Sequence, residues 1–400
     1  MVMVAQMTVT VLKQANLIDG NVTDVVLTDG LISAVGVGES HADEATVVDL
    51  TGYLLLPAAV EPHAHLDKAF LAETIHNPTG DLMGAINAMI ANRYRLNHAD
   101  TVERAERGAR LMAANGYAAV RTHADTTSEH GLTSVIALDE VRRRVADVID
   151  IEIVALCGWP VSGAVGANQR SLLRDALQAG ADLVGGCPHL EDDIEAATDV
   201  LLEIADEFGR AVDLHTDETL RPEANGLDVL ARRVLAGFQF GATASHCVSL
   251  GQQPLEQQRA TADRVAAAGI HVIALPHTNL FLQGRGRSPT PRGLTPVALL
   301  RDAGVNVAAG ADNLQDPFNP MGRACPFETA SLMVLVAHDL PVHAWDSVSG
   351  SAARVLDRQR GQISVGSTSD LVAIRAATLR EAIAFGSHDR IVWRRGTRLG

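Results

Sequence analysis

The sequence predicts an α/β chain built as a (β/α)8 TIM barrel, with a small β-sandwich domain formed by the N- and C-terminal segments. Three observations predict it. Eight short apolar or β-branched runs recur along the chain, each followed by a polar turn and a stretch with helical spacing. Strand alternating with helix argues for parallel pairing, and eight such units over roughly 250 to 300 residues fit a closed barrel. The two flanks instead alternate apolar and polar positions, the signature of antiparallel hairpins.

Taken in order, TVTVLKQANLIDG, NVTDVVLTDGLISAVG and ATVVDLTG alternate around Asp-Gly turns and predict hairpins over 7–52. The eight barrel runs are LLLPAAVEPHAH (54–65), YAAVRTHAD (117–125), IDIEIVALCG (149–158), DLVGGCP (182–188), AVDLHTDE (211–218), FGATASHC (240–247), HVIALPHTN (271–279) and VNVAAGAD (305–312). Between them lie helical stretches such as ADTVERAERGARLMAANG and LLEIADEFGR. From 361 the tail, GQISVGSTSDLVAI and RIVWRRGTRL, returns to the texture of the opening. The expected division is 1–56 plus 358–400 for the small domain and 57–357 for the barrel, because chain ends often lie close together.

Composition narrows the function. The chain has 400 residues, 47% of them hydrophobic, enough for a large core, and carries a formal charge of −15. That charge repels phosphate backbones and anionic membranes, so a small molecule is the expected partner and nucleic acid is not. No run approaches 18 apolar residues, so no membrane span is expected. Cys157, Cys187, Cys247 and Cys325 are widely spaced without a CxxC pair, and MVMVAQMTVTVLKQ lacks a signal-peptide pattern. The expectation is a cytoplasmic protein, with association of identical copies left open.

The first barrel run ends in Glu61-Pro62-His63-Ala64-His65. On a strand, residues i and i+2 face the same way, so two imidazoles could meet a metal there. Spacing alone decides nothing, since 15 histidines in 400 residues give about 0.6 such pairs by chance. Position adds weight: His123, His215, Glu218, His246 and Asp312 also close apolar runs, and barrel active sites lie at the C-terminal strand ends. Each taken singly reads as readily as a loop or core residue; together they must converge on one mouth. His189 and His277 read as rim residues.

These motifs, HAHLD, RTHAD, DLHTDE, TASHC and GADNLQDPFNPMG, resemble the amidohydrolase superfamily, in particular its cytosine deaminase-like branch, including N-isopropylammelide amidohydrolases. NLFLQGR and RGLTPVALLRDAGVNV strengthen the likeness. The resemblance implies that His63, His65, His215 and Asp312 bind one divalent ion, zinc or iron. Binuclear members carry a carbamylated lysine on the barrel. This chain has only Lys13 and Lys68, so a single ion is expected. The implied reaction is deamination: the ion makes hydroxide from water near neutral pH, Asp312 takes the water proton, His246 orients the nucleophile or oxyanion, and Glu218 shuttles a proton to a ring nitrogen.

The expected substrate is a nitrogen heterocycle, a cytosine-like pyrimidine or an aminotriazine. Gly158 stands where the resemblance places a glutamine that reads a pyrimidine's amide edge, which removes a polar reader. Trp159 beside it is a stacking or packing residue. The resemblance also implies that Asn313 replaces the second of two aspartates, that Phe318 takes the place of an aromatic residue covering the pocket and that Leu82 matches a pocket segment; Lys68 is an anion or carbonyl contact or else a surface lysine. Two other readings stand beside deamination. One is hydantoinase-like hydrolysis of a cyclic amide, which usually needs two metals; the other is a catalytically silent barrel that binds a ligand.

Overall fold

The computed structural model describes residues 9–36, 45–359 and 361–400. The first eight residues, part of the stretch expected to lack a signal peptide, lie outside the described residues. β1 (Val9–Asn16), β2 (Val22–Thr28) and β3 (Leu31–Val35) form the expected antiparallel hairpins. Asp29 and Gly30 join β2 to β3 with φ of 49° and 85°, the two positive values that make Asp-Gly a favoured two-residue hairpin turn. β4 (Thr46–Asp49) pairs in parallel with β1, and β5 (Tyr53–Pro57) follows.

The run 54–65 is not one strand but two. Leu54–Leu56 belong to the terminal sheet, while the barrel begins at β6 (Ala59–Ala64). Pro57 has no N–H to extend the ladder, and the next N–H, of Ala58, donates to Asp370 O at 2.9 Å. One residue thus carries the chain between sheets. The barrel continues through β7 (Tyr117–Thr126), β8 (Asp150–Cys157), β9 (Leu183–Gly185), β10 (Val212–Thr216), β11 (Ala242–His246), β12 (His271–Ala274) and β13 (Val307–Ala309), paired in sequence order and all parallel. It closes where Ala64 bridges Asp312 and the Asp312 N–H donates to His63 O at 3.1 Å. The result is a (β/α)8 TIM barrel.

The tail supplies β14 (Leu371–Arg375), β15 (Arg390–Arg394) and β16 (Thr397–Arg398), which extend the first sheet through antiparallel pairing of β14 with β5. Both chain ends therefore build one small β domain. Its layers are parts of a single sheet curled around Leu12, Leu27, Ile32, Leu55, Leu371 and Trp393. Ile32 exchanges backbone hydrogen bonds with Gly366 and Ser367, which brings the two sides of the curl together.

Inside the barrel, the N-terminal end is plugged by apolar packing of Val60, Ala119, Ile273 and Ala308 against Ala352, Ala353 and Val355 of helix Gly350–Val355. Above that floor lies a buried guanidinium, Arg121, which donates to Glu152 (2.7 Å), Asp213 (2.8 Å) and Val355 O (2.8 Å). A charge so deep persists only when its donors are met in this way. Among the described residues, no helix is long and apolar enough to cross a membrane.

Candidate active site

The C-terminal strand ends gather five imidazoles and one carboxylate: His63 on β6, His65 just beyond it, His123 on β7, His215 on β10, His246 ending β11, and Asp312 three residues after β13. All are buried. His246 and Asp312 take φ of 68° and 61°, a left-handed backbone that costs a side-chain-bearing residue roughly 1–2 kcal/mol and bends the chain away from the strand direction just where these side chains enter the site.

The four residues expected to share an ion lie together. His65 Nε2 is 3.2 Å from His215 Nε2 and 3.3 Å from Asp312 Oδ1, and His63 Nε2 is 3.6 Å from the same oxygen. Donors bound at 2.0–2.1 Å to one tetrahedral centre stand about 3.3 Å apart. His63 Nε2 and both Asp312 oxygens are buried without a hydrogen-bond partner, and donor atoms of His63, His246 and Asp312, and of His63, His123 and His215, also fall within 4.8 Å of one another. The donor set fits a divalent ion.

A chain of hydrogen bonds fixes the tautomer of His63. Arg121 holds Asp213, and Ser245 Oγ gives its one proton to Asp213 Oδ1 at 3.1 Å. The His63 Nδ1, 2.9 Å from the same hydroxyl, must therefore be the donor, which leaves the Nε2 lone pair turned to the centre. Protonation agrees. Burial first, then the neighbouring imidazoles, push His63 and His215 well below the usual histidine range. Burial would raise Asp312, but the His65 ring 3.3 Å away and the other nearby imidazoles lower it on balance. Neutral imidazoles and an ionised carboxylate are the forms that bind cations.

Glu218 lies beside this cluster, its Oε1 3.6 Å from His246 Nδ1 and without a hydrogen-bond partner. Burial, aided by the Asp312 charge, holds its carboxyl well above the ordinary glutamate value and so favours its protonated form. Asn279 donates to His246 Nδ1 at 2.9 Å, which leaves the proton on Nε2. Burial takes the His246 pKa down to about 4.

A cavity of about 320 Å³ opens over the cluster and is lined by His65, His215, Glu218, His246 and Asp312. Lys68, Leu82, Gly158, Trp159, Asn313 and Phe318 also line it. Lys68 is not a surface lysine. It is 4% exposed and pairs with Asp125 (2.6 Å) and Asp67 (3.1 Å); burial opposes its charge, but the two carboxylates raise its pKa above the usual lysine value. His189 is likewise no rim residue: it is buried in the cavity wall, its Nδ1 3.0 Å from His215 O. The Gln169 carboxamide fills the space that a side chain at 158 would need.

Several of these partners escape a reading of the sequence. Asp125 stands inside the quoted RTHAD, but its pairing with Lys68 and Arg93 joins three separate segments. Glu61, two residues before the HxH motif, accepts from Ala311 N (3.1 Å) and His63 N (3.2 Å) and ties the first strand to the last; burial pushes it up to about 8. The alternation of β10 and β11 offers the only signal for Asp213 and Ser245, which share the inward face with His215 and Thr243.

Fold and site together define a barrel hydrolase with a histidine-rich centre at the mouth. The chain belongs to the amidohydrolase family, whose profile matches residues 71–397. It is similar to pterin deaminase of Rhizobium rhizogenes, 36% identical over 382 residues that span 93% of this chain and 86% of the relative. N-isopropylammelide isopropyl amidohydrolase of Pseudomonas sp. is 26% identical, covering 84% and 83%. Among solved structures, 5-methylcytosine deaminase from Klebsiella pneumoniae with 5-fluorocytosine superimposes with a TM-score of 0.87 at 30% identity, over 98% of this chain and 97% of that one. The chain is thus a hydrolase of carbon–nitrogen bonds, which sets aside the silent barrel.

Proposed function

We propose that the protein is a mononuclear aminohydrolase that removes an exocyclic amine from a nitrogen heterocycle. The observation that carries this reading is that His65 Nε2 stands 3.2 Å from His215 Nε2 and 3.3 Å from Asp312 Oδ1, while His63 Nε2, buried without a hydrogen-bond partner, stands 3.6 Å from that same oxygen. His63, His65, His215 and Asp312 would hold the ion, zinc or iron. When bound, a divalent ion lowers the pKa of water from 15.7 towards about 7 and so supplies hydroxide at neutral pH. A single ion is favoured because Lys68, the only lysine near the site, is committed to Asp67 and Asp125.

The residues then divide the proton work. Asp312 accepts the proton of the attacking water through its unpartnered oxygen. Glu218, protonated by burial, delivers a proton to the ring nitrogen beside the reacting carbon, which makes that carbon electrophilic. His246 presents Nε2–H to the oxygen that joins the carbon. As the intermediate collapses, Asp312 passes the proton it took from water to the departing amine and Glu218 recovers one from the new hydroxyl, which becomes the carbonyl. The similarity to pterin deaminase supports an aminopteridine ring. Cytosine-like pyrimidines and aminotriazines come next, in line with the other relatives. The same reading divides the chain at 1–56 plus 358–400 and 57–357 and places the protein in the cytoplasm.

An ammonia-release assay on a panel of pterin, cytosine and aminotriazine, with metal quantified on the same preparation, tests it. Ammonia with one ion per chain is expected. Ring opening without ammonia would transfer the site to cyclic-amide hydrolysis, and no turnover with any panel member would overturn the proposal.

A further inference from the structure

Gln169, in the first turn of helix Ala167–Gln178, is 6% exposed and lines the cavity wall beside Gly158. A Cβ at residue 158 would stand 2.3 Å from Gln169 Nε2 and 3.1 Å from Thr127 Cγ2. Any larger residue there would evict the carboxamide. The amide is also held in a fixed orientation: Ser128 Oγ donates to its Oε1 at 2.6 Å, and its Nε2 donates to Thr126 O at 3.3 Å. These bonds use one of its two N–H groups and one of the two lone pairs on Oε1. A spare donor and a spare acceptor therefore remain side by side on a rigid group in the cavity wall.

The two cations of this wall are already paired. Arg93 donates to Thr127 Oγ1 (2.6 Å) and Asp125 (3.1 Å), and Lys68 is paired with Asp67 and Asp125. The wall near Gly158 thus presents a neutral donor–acceptor pair, which matches a neutral ring amide and not an anionic substituent. We propose that Gln169 is a specificity-determining residue that reads the lactam edge of the substrate, the adjacent ring N–H and C=O, and that Gly158 leaves the room it needs. The inference rests on the aminohydrolase reading above for the kind of ring that enters.

Direct binding tests it, with every protein compared, the reference included, carrying Glu218→Gln so that the ion is kept and no ring is turned over during the titration. Calorimetry on the metal-loaded protein compares 2-amino-4-oxopyrimidine with 2-aminopyrimidine, which differ only in the lactam edge. The reference should prefer the oxo ring by at least about tenfold. Gln169→Leu should abolish the preference, and so should Gly158→Ala, which keeps the glutamine but displaces it; metal content and thermal unfolding of each variant serve as checks on folding. A reference without preference, or a Gln169→Leu protein that keeps it, overturns the inference. Ammonia release from the panel is judged separately, so failure here leaves the aminohydrolase reading standing.

Discussion

At His63 the placement of one proton decides whether the ring can be a ligand. Ser245, held by Asp213, accepts that proton bond and turns Nε2 to the centre. Ser245→Ala should weaken metal binding 10- to 100-fold, the usual effect of removing such a support, with the fold retained; competition with a chelator measures it. Glu218→Gln should keep the ion and lose turnover by at least about 100-fold, read from ammonia release and metal content together; wild-type rates in that variant would remove Glu218 from the reaction. The residues proposed as ligands were legible because they close apolar runs at one rim of a barrel and stand in motifs that resemble a known family. Ser245, Asp213 and Gln169 were not, since each acts on a residue from a different segment.

Two elements close the site at its edges. Gly310 lies between β13 and Asp312, and a Cβ there would stand 2.5 Å from Glu61 Oε1. Gly310→Ala should displace the carboxylate that ties the first strand to the last and destabilise the fold by about 1–3 kcal/mol, as read by chemical denaturation. Asp316 organises the following loop, accepting from Asn313 Nδ2 (2.8 Å) and Phe318 N (2.8 Å). Burial raises its pKa to about 6, whereas an unfolded aspartate titrates near 4. The folded state therefore holds the proton more tightly. The stabilisation, up to about 3 kcal/mol, is full below the unfolded value and lost as pH rises through 6. Relative to Asp316→Asn, the wild type should lose stability between pH 4 and 6; a constant difference across that window would contradict the assignment. At this scale the sequence misled once: 54–65 reads as one apolar run, and only the pairing of Tyr53–Pro57 with β14 shows that the chain changes sheets at Ala58.

Over the whole molecule, the barrel is closed by the same segments that carry its chemistry. Its last strand end meets its first through Asp312 and His63, both expected ligands, so an ion would join strands that the apolar floor joins only at the opposite end. The eightfold alternation made this architecture legible from the sequence. The curled terminal sheet was legible only as texture, because the register between β5 and β14 depends on contacts more than 300 residues apart. The most direct measurement follows from that closure. Metal per chain and ammonia release are determined on one preparation before chelation, after it, and after adding back zinc or iron, with His215→Ala alongside. One ion per chain, activity that leaves and returns with it, and low occupancy in His215→Ala are predicted; full ammonia release from the metal-free chain, or two ions in each active chain, would contradict the account.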